Sequence, residues 1–193
     1  MGRSPLLLLA SASPRRRELL ELAGVRFEAV ATSVDEAREG EPEEVVAENA
    51  LRKARAGARM RPDAELVLGA DTEVAIGGRV LGKPTSEDEA RAYLNELSAN
   101  THVVLGAIVL LRGGEEAAPL TALESTRVRF ADLDAAEIER YIASGEWQDR
   151  AGGYAVQGLG ASFVTAVDGD LANVIGLPIR ALARLAPDVF DLG

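Results

Sequence analysis

Cysteine is missing from all 193 residues, and histidine occurs once. Without cysteine there is no disulfide and no thiolate zinc site, a usage that fits a reducing cytosol. One histidine and no thiol leave almost nothing from which to build a histidine-based catalytic triad. That histidine, His102, falls inside the apolar run "THVVLGAIVLL", where a satisfied strand residue is the expected role. Any metal is therefore expected on oxygen ligands, which favours Mg²⁺ or Mn²⁺ over Zn²⁺. Aromatics are scarce at 4 %, too few to stack bases along a single strand. Positive charge is also in deficit: 21 Lys and Arg against 31 Asp and Glu leave a net charge of −10. A nucleic acid polymer calls for a basic face, so it is not an expected partner. A small anion needs only a local cationic pocket, and stays open.

Long hydrophobic runs are missing as well. No stretch approaches the roughly 18 apolar residues of a membrane span. "MGRSPLLLLASAS" imitates a signal peptide, but its apolar core of about six residues falls short of the usual 7–15. Met1-Gly2 suggests myristoylation, yet Leu6 stands where Ser or Thr is required. The expectation is a cytoplasmic protein with no membrane partner.

What is present is ordinary for a globular chain, 47 % hydrophobic and 27 % charged, and one domain over residues 1–193 is expected. Leu6–Ala10 reads as a buried strand and Pro14–Ala23 as a helix closed by Gly24. "VRFEAVAT" reads as a strand and "SVDEAREGEPEE" as an acidic loop. A long helix follows from Pro42 to about Met60. "ELVLGAD" reads as a strand ending at Asp71, with a Gly77-Gly78 hairpin beyond it. Ser86/Glu89 and Asp134/Glu137 read as capping boxes opening two helices. Thr101–Phe130 reads as two antiparallel strands turning at Gly113-Gly114. The tail reads as a glycine-rich segment, a strand "SFVTAV", a turn at 168–170, "NVIGLP" and a last helix "IRALARLA". Early alternation of helix and strand with later hairpins predicts an α/β class and a mixed sheet.

Arg15, Arg16 and Arg17 follow Pro14 at the positive end of a helix, where acidic residues are preferred. One reading is a solvated cationic face. The other is a phosphate site, because a strand, a small-residue turn with Ser11 and Ser13, and a helix N-terminus make an anion cradle. Under the second reading, removing Arg15 or Arg16 weakens ligand binding and leaves the free protein no less stable. Asp71 is either a turn residue or, with Asp35 and Glu36 from the acidic loop, part of a carboxylate group that holds Mg²⁺ or activates water. "GGRVLGKP" imitates a P-loop, but Pro84 stands where Ser or Thr must reach the metal. Lys83 remains a candidate phosphate contact, as does Lys53, whose neighbours Arg52 and Arg55 suggest a solvated face. Gln157, in "AGGYAVQGLGA", has donor and acceptor atoms for a base edge, although turn usage alone also explains that segment.

Taken together, "LASASPRRRELL", "ENALRKARAG", "LGADTEV…LGKP", "LNELSANTH", "AGGYAVQGLGASFV" and "NVIGLP" resemble the Maf family of nucleoside triphosphate pyrophosphatases, from about Leu7 to Pro178. The resemblance implies an ITPase-like α/β fold: a mixed, elongated sheet flanked by helices, in two lobes around a central cleft. It implies hydrolysis of dTTP and UTP to the monophosphate and pyrophosphate with a divalent cation, Mg²⁺ or Mn²⁺, and a homodimeric assembly. On the family's pattern Asp71 is the proton acceptor, and Glu36 with Asp71 holds the metal. Arg15, Thr72 and Gln157 match the positions that select dTTP and UTP. Ser11, Arg15, Arg16, Lys53 and Lys83 match phosphate-contacting positions. "SANTH", "VLGAIVL" and "DGDLANV" depart from the family's usual wording, in a turn, a strand and a hairpin outside the charged set. The alternative is a nucleotide-binding regulator of cell division, a septum formation inhibitor, that senses the nucleotide without turnover.

Overall fold

The computed structural model describes residues 6–190. The sequence readings at Met1-Gly2 lie outside them. The apolar run forms β1 (Leu7–Ala10), buried along its length, and Pro14 opens α1 (Pro14–Leu22). Gly24, at φ +70°, takes the left-handed conformation just past the helix end. Then come β2 (Phe27–Val30) and α2 (Pro42–Met60), which begins at a proline and has Glu43 and Glu44 in its first turn. The chain continues through β3 (Leu66–Ile76), β4 (Arg79–Leu81), α3 (Glu87–Leu97), β5 (Thr101–Arg112) and β6 (Leu120–Phe130). It ends with α4 (Ala135–Ser144), β7 (Val164–Asp168), α5 (Leu171–Ile175) and α6 (Ile179–Leu185). Among the described residues no helix is long and apolar enough to cross a membrane.

The sheet runs β2-β1-β3-β5-β6-β7, with β4 on β3. β1 is parallel to β2 and β3, and the remaining pairs are antiparallel. This is the expected mixed α/β sheet. The register of β3 creates the cleft. One of its edges is paired with β5 from Leu66 to Ala75. The other edge is paired with β1 only as far as Leu68, and with β4 only from Val74. Residues 69–73 are uncovered on that side.

The hydrophobic core divides at the same place. Leu7, Leu9, Leu66 and Leu68 pack with Leu20 and Leu182 on one face. Leu8, Ala10 and Val67 pack with Val46, Ala50 and Ala54 of α2 on the other. Beyond the gap, Val74 and Leu81 join Leu94, Leu97, Phe130, Tyr141, Trp147 and Phe163 in a separate cluster. Two lobes result, sharing the long strands β3 and β5. Helix α2 approaches the sheet closely because residue 69 is glycine. A Cβ there would lie 2.2 Å from the Ala50 carbonyl oxygen and 2.5 Å from the Ala54 nitrogen.

Several elements differ from the sequence reading. β3 does not end at Asp71 but continues to Ile76, because β5 pairs along it and the Gly77-Gly78 turn folds β4 back onto its end. The strand read at "SFVTAV" starts only at Val164, after a 3₁₀ turn over Leu159–Phe163. "NVIGLP" contains the end of the short helix α5, capped by Asp170. Asp134 and Glu137 form a complete capping box. Ser86 and Glu89 form half of one: Ser86 accepts the Glu89 N–H, but the Glu89 carboxylate is taken by Thr85 N–H, Thr85 Oγ1 and Tyr93.

His102 has the structural role expected of it. Its Nε2 lies 2.7 Å from the Tyr154 hydroxyl, and Phe130 packs edge-on at 5.0 Å. Burial pushes the imidazole pKa from 6.5 down to about 4. An unfolded chain therefore takes up a proton near pH 6.5 that the folded chain refuses until about pH 4, so stability falls as pH drops through that window. The full loss is about 3 kcal/mol at ~1.4 kcal/mol per pH unit. Urea unfolding of wild type and His102→Gln at pH 7 and pH 4.5 checks this. The wild type should lose more stability than the variant, and equal losses would show that the imidazole titrates normally.

Candidate active site

The uncovered stretch of β3 puts Asp71 and Glu73 on one face and Thr72 on the other, by the alternation of a strand. The first face lies under α2. Because Ala50 and Ala54 sit tightly on Gly69, Lys53 is brought over Asp71. Its ammonium bonds Asp71 Oδ1 at 2.6 Å and Glu36 Oε1, from the acidic loop, also at 2.6 Å. Asp71 Oδ2 is buried and has no protein partner among the described residues. Burial alone would raise the Glu36 pKa. The Lys53 hydrogen bond and charge, with Lys83 and Arg16 behind them, outweigh it and hold that carboxyl below the ordinary range. The solvated-face reading of Lys53 does not hold. Asp35 stays out of the group, and its carbonyl accepts a bond from Arg52.

The arginine triplet separates into three roles. Arg17 is exposed. Arg16 turns inward and is 8 % exposed. Its Nε donates to the Gly176 carbonyl at 2.9 Å, Nη1 to Ser11 Oγ at 3.0 Å, and Nη2 to Thr72 Oγ1 at 3.3 Å. Thr72 in turn donates to the same Gly176 carbonyl at 3.2 Å. Burial lowers the Arg16 pKa, while Asp71, Glu36 and Glu73 oppose that shift by their charge. Arg15 faces the cleft and donates one bond, at 3.2 Å, to the Asp149 carbonyl. Burial and then the charges of Arg150 and Arg16 bring its pKa down to about 10. Ser13 caps α1 without a side-chain bond, and the helix has no acidic residue in its first turn. The cationic helix end thus opens into the cleft.

Gly176 is held in place by α5. Asn173 is fully buried and donates to the Val104 carbonyl at 3.0 Å and Thr126 Oγ1 at 3.2 Å, passing through the space that a side chain on Gly106 would fill. Gln157 stands exposed at the cleft wall. Its loop is fastened on both sides: Ala155 N–H donates to the Tyr141 hydroxyl, and Leu159 and Gly160 N–H donate to Glu146. Lys83, exposed on the turn after β4, lines the opposite side.

The cleft is about 840 Å³ and draws residues from both lobes, enough room for a nucleotide. Ser11, Arg15, Arg16, Glu36, Lys53, Asp71, Thr72, Lys83 and Gln157 all line it. Sequence reasoning missed several charged members, Glu73 and Arg150 among them. Glu73 follows Asp71 at the strand period of two, a spacing that could have revealed it. Burial, and then the Asp71 and Glu36 carboxylates, push its pKa up to about 8. Arg150 lies just before the glycine-rich segment, and only that adjacency could have drawn notice.

For a divalent cation the donors are all oxygen. Lys53 already shows that a positive charge is favourable between Asp71 and Glu36. Among the described residues no group of three or more Asp, Glu or His encloses a metal position. Two carboxylates fit a hard ion such as Mg²⁺, which commonly takes one or two from protein and the rest from phosphate oxygens and water.

Comparison with known proteins agrees with this geometry. Residues 6–189 match the model of a family described as Maf-like protein. A dTTP/UTP pyrophosphatase of Symbiobacterium thermophilum is 45 % identical over 181 residues, covering 93 % of this chain and 91 % of that one. One from an Anaeromyxobacter species is 47 % identical over 182 residues, covering 93 % and 87 %. Among solved structures, a HAM1 protein from Coxiella burnetii shares the fold at a TM-score of 0.50 and 21 % identity, covering 67 % of this chain and 74 % of that one.

Proposed function

We infer, from the premise that this chain belongs to the Maf-like protein family, that it is a dTTP/UTP pyrophosphatase, releasing pyrophosphate and leaving the nucleoside monophosphate. The single observation that carries the mechanism is the unit Glu36–Lys53–Asp71 at the floor of a cleft rimmed by arginine and lysine. Lys53 holds Asp71 Oδ1 and leaves Oδ2 to accept a proton from the water that attacks the α-phosphorus. Arg15, Arg16 and Lys83 face the phosphate chain and offset the charge that gathers on departing pyrophosphate. Arg16 reaches that role already oriented by Ser11, Thr72 and Gly176. Gln157, on its fastened loop, offers an amide to the pyrimidine edge.

Asp71 and Glu36 would hold a divalent cation, Mg²⁺ or Mn²⁺. When bound, the cation screens the phosphate charges and polarises their oxygens. A cytoplasmic homodimer belongs to the same proposal. A sensor of cell division without turnover would need no water-activating carboxylate, so the buried Asp71–Lys53 pair favours the enzyme. The test is a panel of nucleoside triphosphates with Mg²⁺ or Mn²⁺ and identification of the products. dTMP and UMP with pyrophosphate are expected. A diphosphate with inorganic phosphate, or no turnover, would overturn the assignment.

A further inference from the structure

Arg150 has the surroundings of an anion ligand, yet no role in the mechanism above. It lines the cleft from the lobe opposite α1. Its Nε is buried and without a hydrogen-bond partner among the described residues, a costly state for a guanidinium N–H. Arg150 is the strongest of the charges acting on Arg15, ahead of Arg16 and of the opposing Asp149. The backbone around it is held firmly. Asp149 adopts φ +57°, a left-handed conformation that costs energy outside glycine. The Asp149 carbonyl takes the Arg15 bond, while Gly152 N–H donates to the Gly82 carbonyl at 3.0 Å, next to Lys83. Arg150 is therefore fixed in the cleft beside Arg15, and its repulsion of Arg15 outweighs the opposing charge of Asp149.

We propose that Arg150 is a phosphate-binding residue that grips the triphosphate jointly with Arg15, so that the bound polyanion draws the two lobes together. The proposal rests on the pyrophosphatase reading, which supplies a ligand with enough negative charge. Arg17, exposed on the same helix as Arg15, has no such position and is the control.

The experiment is calorimetric titration of inorganic tripolyphosphate, which carries the phosphate chain without the nucleoside, into wild type, Arg150→Ala, Arg150→Lys and Arg17→Ala, with thermal melts of each. Charge-assisted contacts of this kind predict a loss of about tenfold or more for Arg150→Ala, partial rescue by Arg150→Lys, and no change for Arg17→Ala. The melting temperature of the free Arg150→Ala protein should hold or rise as repulsion is relieved, while its stabilisation by tripolyphosphate shrinks. A structural role for Arg150 would instead lower the free melting temperature and leave the affinity of the folded fraction intact. That result, or wild-type affinity in Arg150→Ala, overturns the proposal. If such an enzyme still converts dTTP to dTMP, the pyrophosphatase reading survives. If wild type neither binds tripolyphosphate nor turns over dTTP, both fall.

Discussion

Asp71→Asn should lower dTTP turnover by about 10²-fold or more while the protein stays folded. The substitution keeps the shape of the side chain at a buried position, and its amide oxygen can still accept the 2.6 Å bond from Lys53. Lys53 also keeps its second partner, Glu36, so no buried ammonium is left alone. What disappears is the negative charge and the lone pair on Oδ2 that receives the proton from water. Substrate affinity should change less than turnover, since the phosphate-facing cations are untouched. Product release assays beside circular dichroism melts measure both. Near-normal turnover in the folded variant would move the base elsewhere, with Glu36 next and Glu73, two residues along the same strand face, after it.

Arg16→Ala should reduce both stability and activity, whereas Arg15→Ala should reduce activity alone. The arrangement of Arg16 reverses the sequence-based expectation that either arginine could be removed at no cost to the free protein. Its guanidinium ties Ser11 after β1 to Thr72 on β3 and Gly176 after α5. It also faces the carboxylates of Asp71, Glu36 and Glu73, which its charge helps to balance. Removing a buried guanidinium that makes three hydrogen bonds costs about 3 kcal/mol or more. For a chain of this size that is a fall in melting temperature of about 10 °C. Arg15, half-buried and with one bond to a backbone carbonyl, is a surface-like case within about 0.5 kcal/mol. Its removal should still weaken binding or turnover of dTTP about tenfold. Thermal melts with and without dTTP separate the neighbours. An Arg16→Ala protein that melts with wild type would show that the three hydrogen bonds contribute nothing to the fold.

Local chemistry made much of this molecule legible in the sequence alone. Pro42 and the apolar period define α2 from end to end, and Asp134 with Glu137 opens α4, because caps and faces depend on residues a few positions apart. The absence of cysteine and near-absence of histidine confined the chemistry to carboxylates and cations for the same kind of reason: composition does not depend on folding. The tertiary structure decided what those charges do. Three consecutive arginines are alike in sequence, yet only Arg16 meets Thr72 and Gly176, 56 and 160 residues away, because β1, β3 and the α5 end converge there. Lys53 leaves the solvated face only because Gly69 lets α2 down onto the sheet. Asp71 became a cleft residue instead of a strand end because the pairing of β1 along β3 stops at Leu68 and that of β4 begins only at Val74. Strand order and register are collective properties of all the packed layers, and no window of neighbouring residues contains them.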